Sequence, residues 1–142
     1  MTSGYFPRRS FPKEAALTEN SLRLTLEPTV LAPRRARLAL HEWLAGVNCA
    51  RQIREDLLVV ISELVTNAVI HTGSGPDVRA AFDDGRVRLE LHDQDQVPPV
   101  APSASDGDGI GGRGSRLVAA LTDHWGWDPT PTGKVIWTET RC

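Results

Sequence analysis

Three polar side chains are spaced four residues apart in segment 60–71. On a helix, Glu63, Asn67 and His71 would line one face over about 12 Å. That line borders an apolar stripe made of Leu57, Ile61, Leu64 and Ala68. A carboxylate and an amide at the margin of a core are costly unless something satisfies them, and a hydrated magnesium ion does so with oxygen ligands. Glu63 could then hold or deprotonate a nucleophile near the metal. The alternative is a solvated helix edge.

A further carboxylate, Asp93, stands where an alternating segment ends and an irregular one begins. A carboxylate at such a position can accept a hydrogen bond from an exocyclic amine, such as that of adenine. Aspartate is also common in simple turns at strand ends, and spacing alone favours that alternative.

Glycine is concentrated just before an apolar segment, where it occupies five of the eight positions from Gly107 to Gly114. Glycines let the backbone approach phosphates closely, and a helix N-terminus offers unpaired N–H groups. No Lys-Ser/Thr pair follows the glycines, so the segment is not a P-loop, and its surroundings do not fit a Rossmann unit. A flexible linker is the alternative to a phosphate site.

Elements that would position these residues follow from hydrophobic periodicity and turn signals. Pro33 suits the first turn of a helix, Asn48 could cap the next one, and Asp84-Gly85 is a strong hairpin signal. The predicted order is a strand over Ser21–Leu26, a helix from Pro33 to about Gly46, a helix over Cys49–His71, strands over Val78–Phe82 and Val87–His92, an irregular stretch over Gln94–Gly112, a helix from Gly112–Gly114 to about Asp123, and a hairpin of Trp125–Trp127 with Lys134–Thr138.

This order predicts an α+β fold, a two-layer α/β sandwich whose sheet is mixed but mainly antiparallel, with helices on one face. Residues 1–20 are expected to form a flexible tail, because they show no clear period. Residues 21–142 would form the single domain, in line with the chain length of 142.

Composition excludes several classes of protein. Lys and Arg total 16 against 18 Asp and Glu, so the net charge of −2 argues against direct nucleic-acid binding. No apolar run approaches the roughly 20 residues of a membrane helix, and no secretory signal is expected. The two cysteines, Cys49 and Cys142, make neither a disulfide framework nor a zinc site, so a reduced, cytoplasmic chain is expected.

Taken in order, these segments resemble the histidine-kinase-like ATPases, the GHKL or Bergerat-fold superfamily. Within it, the chain resembles the short single-domain bacterial members, abundant in actinomycetes, that are related to anti-sigma-factor serine kinases. Segment 63–71 matches the N-box, His92-Asp93 the adenine box, Gly112-Arg113-Gly114 the second glycine box, and Gly133–Trp137 the closing strand.

The resemblance implies a role for each matching residue. Asn67 would bind the magnesium that bridges the ATP phosphates, Glu63 would orient or activate the attacking hydroxyl or water, and Asp93 would take the adenine amino group. His71 stands at a matching position, as either a nucleotide contact or a structural histidine. The remaining nucleotide contacts would come from the glycine-rich segment, namely Gly109, Gly111, Gly112, Arg113, Gly114 and Ser115. Residues 98–111 would form a lid over the nucleotide.

The resemblance also implies partners. The chain would be an ATP-binding, magnesium-dependent regulator that phosphorylates a serine on an anti-anti-sigma-type protein, binds a sigma factor, or does both. A homodimer is possible by family analogy. Asp95 and Val97 stand where the adenine box usually has glycines, and they favour an alternative. In that alternative the ATP site is degenerate, and the protein sequesters a sigma factor or another regulator without catalysis.

Overall fold

The computed structural model describes residues 17–18, 21–94 and 110–142, with side chains from 21–94 and 116–142. Its elements are β1 (Leu17–Thr18), β2 (Ser21–Thr25), α1 (Ala32–Leu44), α2 (Arg51–Thr72), β3 (Asp77–Asp83), β4 (Arg86–Asp93), α3 (Ile110–Leu121), β5 (His124–Thr130) and β6 (Gly133–Arg141). Within these residues, no helix is both long and apolar enough to cross a membrane.

The six strands form one sheet in the order β1-β2-β3-β4-β6-β5. Each neighbouring pair is antiparallel. The predicted α+β sandwich is therefore confirmed, and the described strands contain no parallel pair of the kind that a mixed sheet would have. Helix α2 packs against α1, α3 and strand β4. The two-residue strand β1 falls in the segment predicted to be a tail, where it pairs with β2.

The core lies between the sheet and α2. Leu57 and Ile61 of α2 and Leu89 and Leu91 of β4 are all fully buried. The helical spacing of the first pair and the alternation of the second put each pair on one face of its element. The sequence patterns predicted both faces, and this packing fixes α2 against the middle of the sheet.

The connections confirm some of the predicted turns and correct others. Asp84 and Gly85 both have positive φ, 53° and 73°, as the hairpin signal predicts for a two-residue turn. Helix α1 has Pro33 in its first turn. The predicted cap by Asn48 is wrong, because α2 begins after Ala50, whose extended backbone starts the helix without a side-chain cap.

The expectation of two reduced cysteines is also wrong. A disulfide joins Cys49 to Cys142, 93 residues apart, with a Cα–Cα distance of 4.5 Å. Antiparallel pairing of β4 with β6 continues to Arg86 and Arg141. Cys142 then donates its backbone N–H to the carbonyl of Gly85 at 2.9 Å. This register holds Cys142 at the sheet end, next to the loop that leads into α2.

Candidate functional site

One end of the sheet gathers the ends of several elements. Strand β3 begins there at Asp77, which pairs with His92. Strand β4 ends there at Asp93, which pairs with Lys134 near the start of β6. Four residues, 73–76, join α2 to β3, so the end of α2 lies at most about 17 Å from Asp77. We call this end of the sheet the Asp93 end.

Helix α3 ends at the opposite end of the sheet. Two residues link Leu121 to β5, and the second of them, Asp123, donates its backbone N–H to the carbonyl of Glu139. A helix of 12 residues is about 18 Å long. Because α3 packs against α2, it lies along the helix that bears Glu63 and Asn67.

Glu63, Asn67 and His71 all lie on α2, as predicted, and share one face of it. Glu63 is partly exposed and His71 is exposed. Asn67 differs from both, because its side-chain oxygen Oδ1 is buried and accepts no hydrogen bond from the residues that the structure describes. A buried acceptor without a donor costs free energy, and Oδ1 of Asn67 is one of six buried polar side-chain atoms of the described residues without a hydrogen-bond partner.

The chemistry of Asn67 fits magnesium. The ion prefers oxygen ligands in octahedral geometry, keeps several waters and commonly shares substrate phosphates. Among the described residues, no group of three or more His, Cys, Asp or Glu side chains could hold a metal ion by itself. A magnesium ion at Asn67 would keep several waters and share a bound phosphate, as such ions commonly do.

Asp93 is a buried carboxylate beside a buried cation. Asp93 is 6% exposed, and its Oδ2 lies 3.6 Å from Nζ of Lys134. Strand alternation puts Asp93 on the same face as Leu89 and Leu91, toward the helices. A carboxylate held there can accept from an amine. Sequence reasoning missed Lys134 as its partner, because only the register of β4 against β6 reveals it.

Gly133 also lies close to Asp93. A Cβ atom added to Gly133 would clash with the carbonyl oxygen of Asp93 and would lie 2.6 Å from Cα of Gln94. Glycine at this position therefore lets the start of β6 pack directly on the end of β4. The predicted closing strand supplies this contact as well as the sheet pairing.

The glycine-rich segment is only partly described. Helix α3 begins at Ile110, so Gly111, Gly112, Arg113, Gly114 and Ser115 lie inside its first two turns. The prediction of a helix start at Gly112–Gly114 is therefore wrong by a few residues. The first four backbone N–H groups of a helix lack acceptors within it, and those of 110–113 remain possible phosphate donors. Gly109, Asp95, Val97 and nearly all of the predicted lid lie outside the described residues.

The face of β4 turned away from the helices carries an ionic network that sequence reasoning also missed. Arg88 contacts Glu90 at 3.0 Å and Glu139 at 3.1 Å, and Nε2 of His92 lies 2.7 Å from Glu90. Arg88 also lies over the ring of Trp137, 4.9 Å from its centre. Alternation along β4 indicates this face, but gives no signal that Arg88, Glu90 and Glu139 are buried.

The network determines the ionisation of Glu90. Burial alone would raise the pKa of this carboxyl. The hydrogen bond with His92 and the charge and hydrogen bond of Arg88 outweigh burial and hold the pKa of Glu90 below its ordinary value. Glu90 is therefore an ionised structural residue of the sheet rather than a proton donor near neutral pH.

Comparison with known proteins agrees with this geometry. Residues 25–139 match the family model described as the histidine kinase-like ATPase domain. A crystal structure of the RsbU and RsbW domains of Rv1364c from Mycobacterium tuberculosis is 28% identical with a TM-score of 0.67, and the match covers 85% of this chain and 32% of that one. The match thus spans about a third of the chain in that structure.

A second structure shares the fold. The SiaB-SiaC complex from Pseudomonas aeruginosa matches with a TM-score of 0.63 at 11% identity, over 85% of this chain and 88% of that one. The match to the family model covers the helix with Glu63 and Asn67, Asp93 and the closing strand. The resemblance predicted from the order of the motifs is confirmed.

Proposed function

Because this chain belongs to the histidine kinase-like ATPase family, we propose that it is an ATP-binding regulator that phosphorylates a serine or threonine of a small protein partner. The observation that carries the proposal is the buried oxygen of Asn67, which no described residue satisfies. It lies one helical turn from Glu63 on a helix that packs against both β4 and α3.

In the proposed site each residue binds or orients one part of the nucleotide. Asn67 would hold magnesium through Oδ1, and the bound ion would supply charge neutralisation at the phosphates. Asp93 accepts a hydrogen bond from the adenine amino group, with Lys134 balancing its charge. The first backbone N–H groups of α3 donate to phosphate oxygens. His71, Arg113 and Ser115 remain predicted contacts.

Glu63 would act on the acceptor hydroxyl. The hydroxyl oxygen of the partner's serine attacks the γ-phosphorus, the bond to the bridging oxygen breaks and ADP leaves. Glu63 orients the hydroxyl and takes its proton as that bond forms. Such transfer depends mainly on positioning and charge neutralisation, so a partly exposed carboxylate one turn from the metal ligand suits the role.

The partner is proposed by similarity. The 28% identity to a protein with an RsbW domain supports a regulatory role. It favours an anti-anti-sigma-type protein as the substrate and a sigma factor as a further binding partner. By analogy with the family, we also propose that the chain acts in the cytoplasm and can form a homodimer.

Calorimetric titration with ATP and magnesium tests nucleotide binding. We expect Asn67→Ala to weaken the binding of magnesium-ATP at least tenfold, because the ion loses its protein ligand. Gln52→Ala is the matched control: it removes another amide from α2, about 22 Å along the helix, where Gln52 bonds to Asp56. No heat with the native protein would favour the non-catalytic alternative, in which the protein sequesters its partner.

Phosphotransfer is tested with a partner captured by pull-down from the host and incubated with labelled ATP. Glu63→Ala should abolish labelling while leaving ATP affinity within about threefold, because Glu63 acts on the acceptor. Glu55→Ala, a glutamate exposed on the same helix, should change neither. Equal labelling by native protein and Glu63→Ala would refute the assigned role, and phosphosite mapping would identify the acceptor.

A further inference from the structure

The disulfide between Cys49 and Cys142 has no part in the proposed reaction. Cys49 lies in the loop that leads into α2, and Cys142 follows β6. The bond therefore joins the start of one helix to the end of a strand 93 residues away. The Cα–Cα distance of 4.5 Å lies in the range that a disulfide spans, so the backbone already holds the two residues in position to bond.

Two observations indicate that this pair can exchange. The 142 residues contain two cysteines, and these two are bonded to each other. Both residues are partly exposed, and both pack against the edge of the core. A small oxidant or reductant can therefore approach the two residues, while the surrounding fold keeps them together.

We propose that Cys49 and Cys142 form a reversible redox site that takes low-molecular-weight disulfides as its oxidant. The thiolate of one cysteine attacks the oxidant R–S–S–R, releases one R–S⁻ and forms a mixed disulfide. The second thiolate attacks the protein sulfur of that mixed disulfide and releases the other R–S⁻. The two electrons and the two thiol protons end on the two R–SH products.

The site links redox state to the rigidity of the fold. Oxidation ties β6, which pairs with both β4 and β5, to the start of α2. Helix α2 begins after Ala50 without a side-chain cap, so the bond anchors an end that no cap holds. Closing a loop of this length also restricts the unfolded chain. In a reducing compartment the bond would form when oxidant accumulates.

The expected effect is on stability rather than on nucleotide affinity. For a chain of this size we expect oxidation to raise Tm by about 10 °C. Glu63 lies about 18 Å along α2 from Arg51, so ATP affinity should differ by less than about twofold between the two states. The redox site stands independently of the proposed kinase, since its readouts need no nucleotide.

The test is a titration of the native protein with mixtures of reduced and oxidised glutathione, followed by thiol trapping with N-ethylmaleimide and non-reducing peptide mapping. We expect a Cys49–Cys142 peptide that forms and disappears reversibly as the ratio changes. Cys49→Ser and Cys142→Ser should each have the Tm of the reduced native protein, and reductant should not change that Tm. Matched serine variants remove the bond while keeping side-chain size nearly unchanged.

Several results would overturn the proposal. They are disulfides between chains through Cys142, glutathione that remains attached to either cysteine, and equal Tm for the oxidised and reduced native protein. Thiol counting on the native protein decides the matter even where a serine variant fails to fold, because two trapped thiols per chain in excess oxidised glutathione would mean that the pair does not close.

Discussion

The ionic network on β4 predicts a large and pH-dependent effect of one isosteric substitution. Glu90→Gln keeps the shape of the side chain and one acceptor oxygen, but removes the charge. Glu90 is 1% exposed as a side chain and is bonded to Arg88 at 3.0 Å and to His92 at 2.7 Å. The substitution therefore leaves Arg88, whose side chain is 5% exposed, with a weaker partner.

The magnitude follows from these contacts. Removing one partner of a buried ion pair costs about 3–5 kcal/mol, because the other charge stays buried. Arg88 retains Glu139 at 3.1 Å, and glutamine still accepts a hydrogen bond. We therefore expect Glu90→Gln to lower the free energy of unfolding by about 2–3 kcal/mol at pH 7.

The pH dependence has a definite sign. The pKa of Glu90 is lower in the folded chain than its ordinary value of 4.5. Its charge therefore contributes stability that is fully present above about pH 5 and is lost as the pH falls through the folded-state pKa. As the pH falls below about 4.5, the glutamate of the unfolded chain becomes protonated before that of the folded chain, so the gap between native protein and Glu90→Gln should shrink, and it should be smallest below the lower folded-state pKa.

Urea unfolding at several pH values measures both effects, through the midpoint at constant m. Glu55→Gln is the matched control, because Glu55 pairs with Arg51 at 3.2 Å on an exposed helix surface. It should cost no more than about 0.5 kcal/mol. A cost for Glu90→Gln no larger than the control, or a gap that widens on acidification, would refute this account of the network.

Three further predictions concern the core and the Asp93 end of the sheet. Leu57→Ala removes a fully buried side chain and should cost about 2–5 kcal/mol in urea unfolding, whereas Leu38→Ala, at a position 57% exposed, should stay within about 0.5 kcal/mol. Gly133→Ala forces a clash with Asp93 and should lower the free energy of unfolding by about 1–3 kcal/mol in thermal melts. Unchanged stability of this variant would contradict the prediction. Asp93→Asn should weaken ATP binding about tenfold or more in calorimetry and reduce the preference for ATP over GTP. An unchanged preference would show that Asp93 does not recognise adenine.

The sequence alone determined the features that depend on neighbouring residues. The apolar stripe of α2 and the line of Glu63 and Asn67 beside it follow from helical period. The Asp84-Gly85 turn follows from the positive φ that such a hairpin needs. The order of these local signals was enough to identify the family, because the N-box, adenine-box and second glycine-box segments follow one another as the family has them, even with Asp95 and Val97 at the usual glycine positions.

Tertiary structure decided what depends on pairing between distant segments. The register of β4 against β6 brings Lys134 to Asp93 and Glu139 to Arg88, and the end of β6 brings Cys142 to Cys49. Alternation along a strand shows which face a side chain occupies, but not what lies across from it or whether that face is buried. Partners that are 41 to 93 residues apart leave no local periodicity, so packing alone reveals the ion pairs and the disulfide.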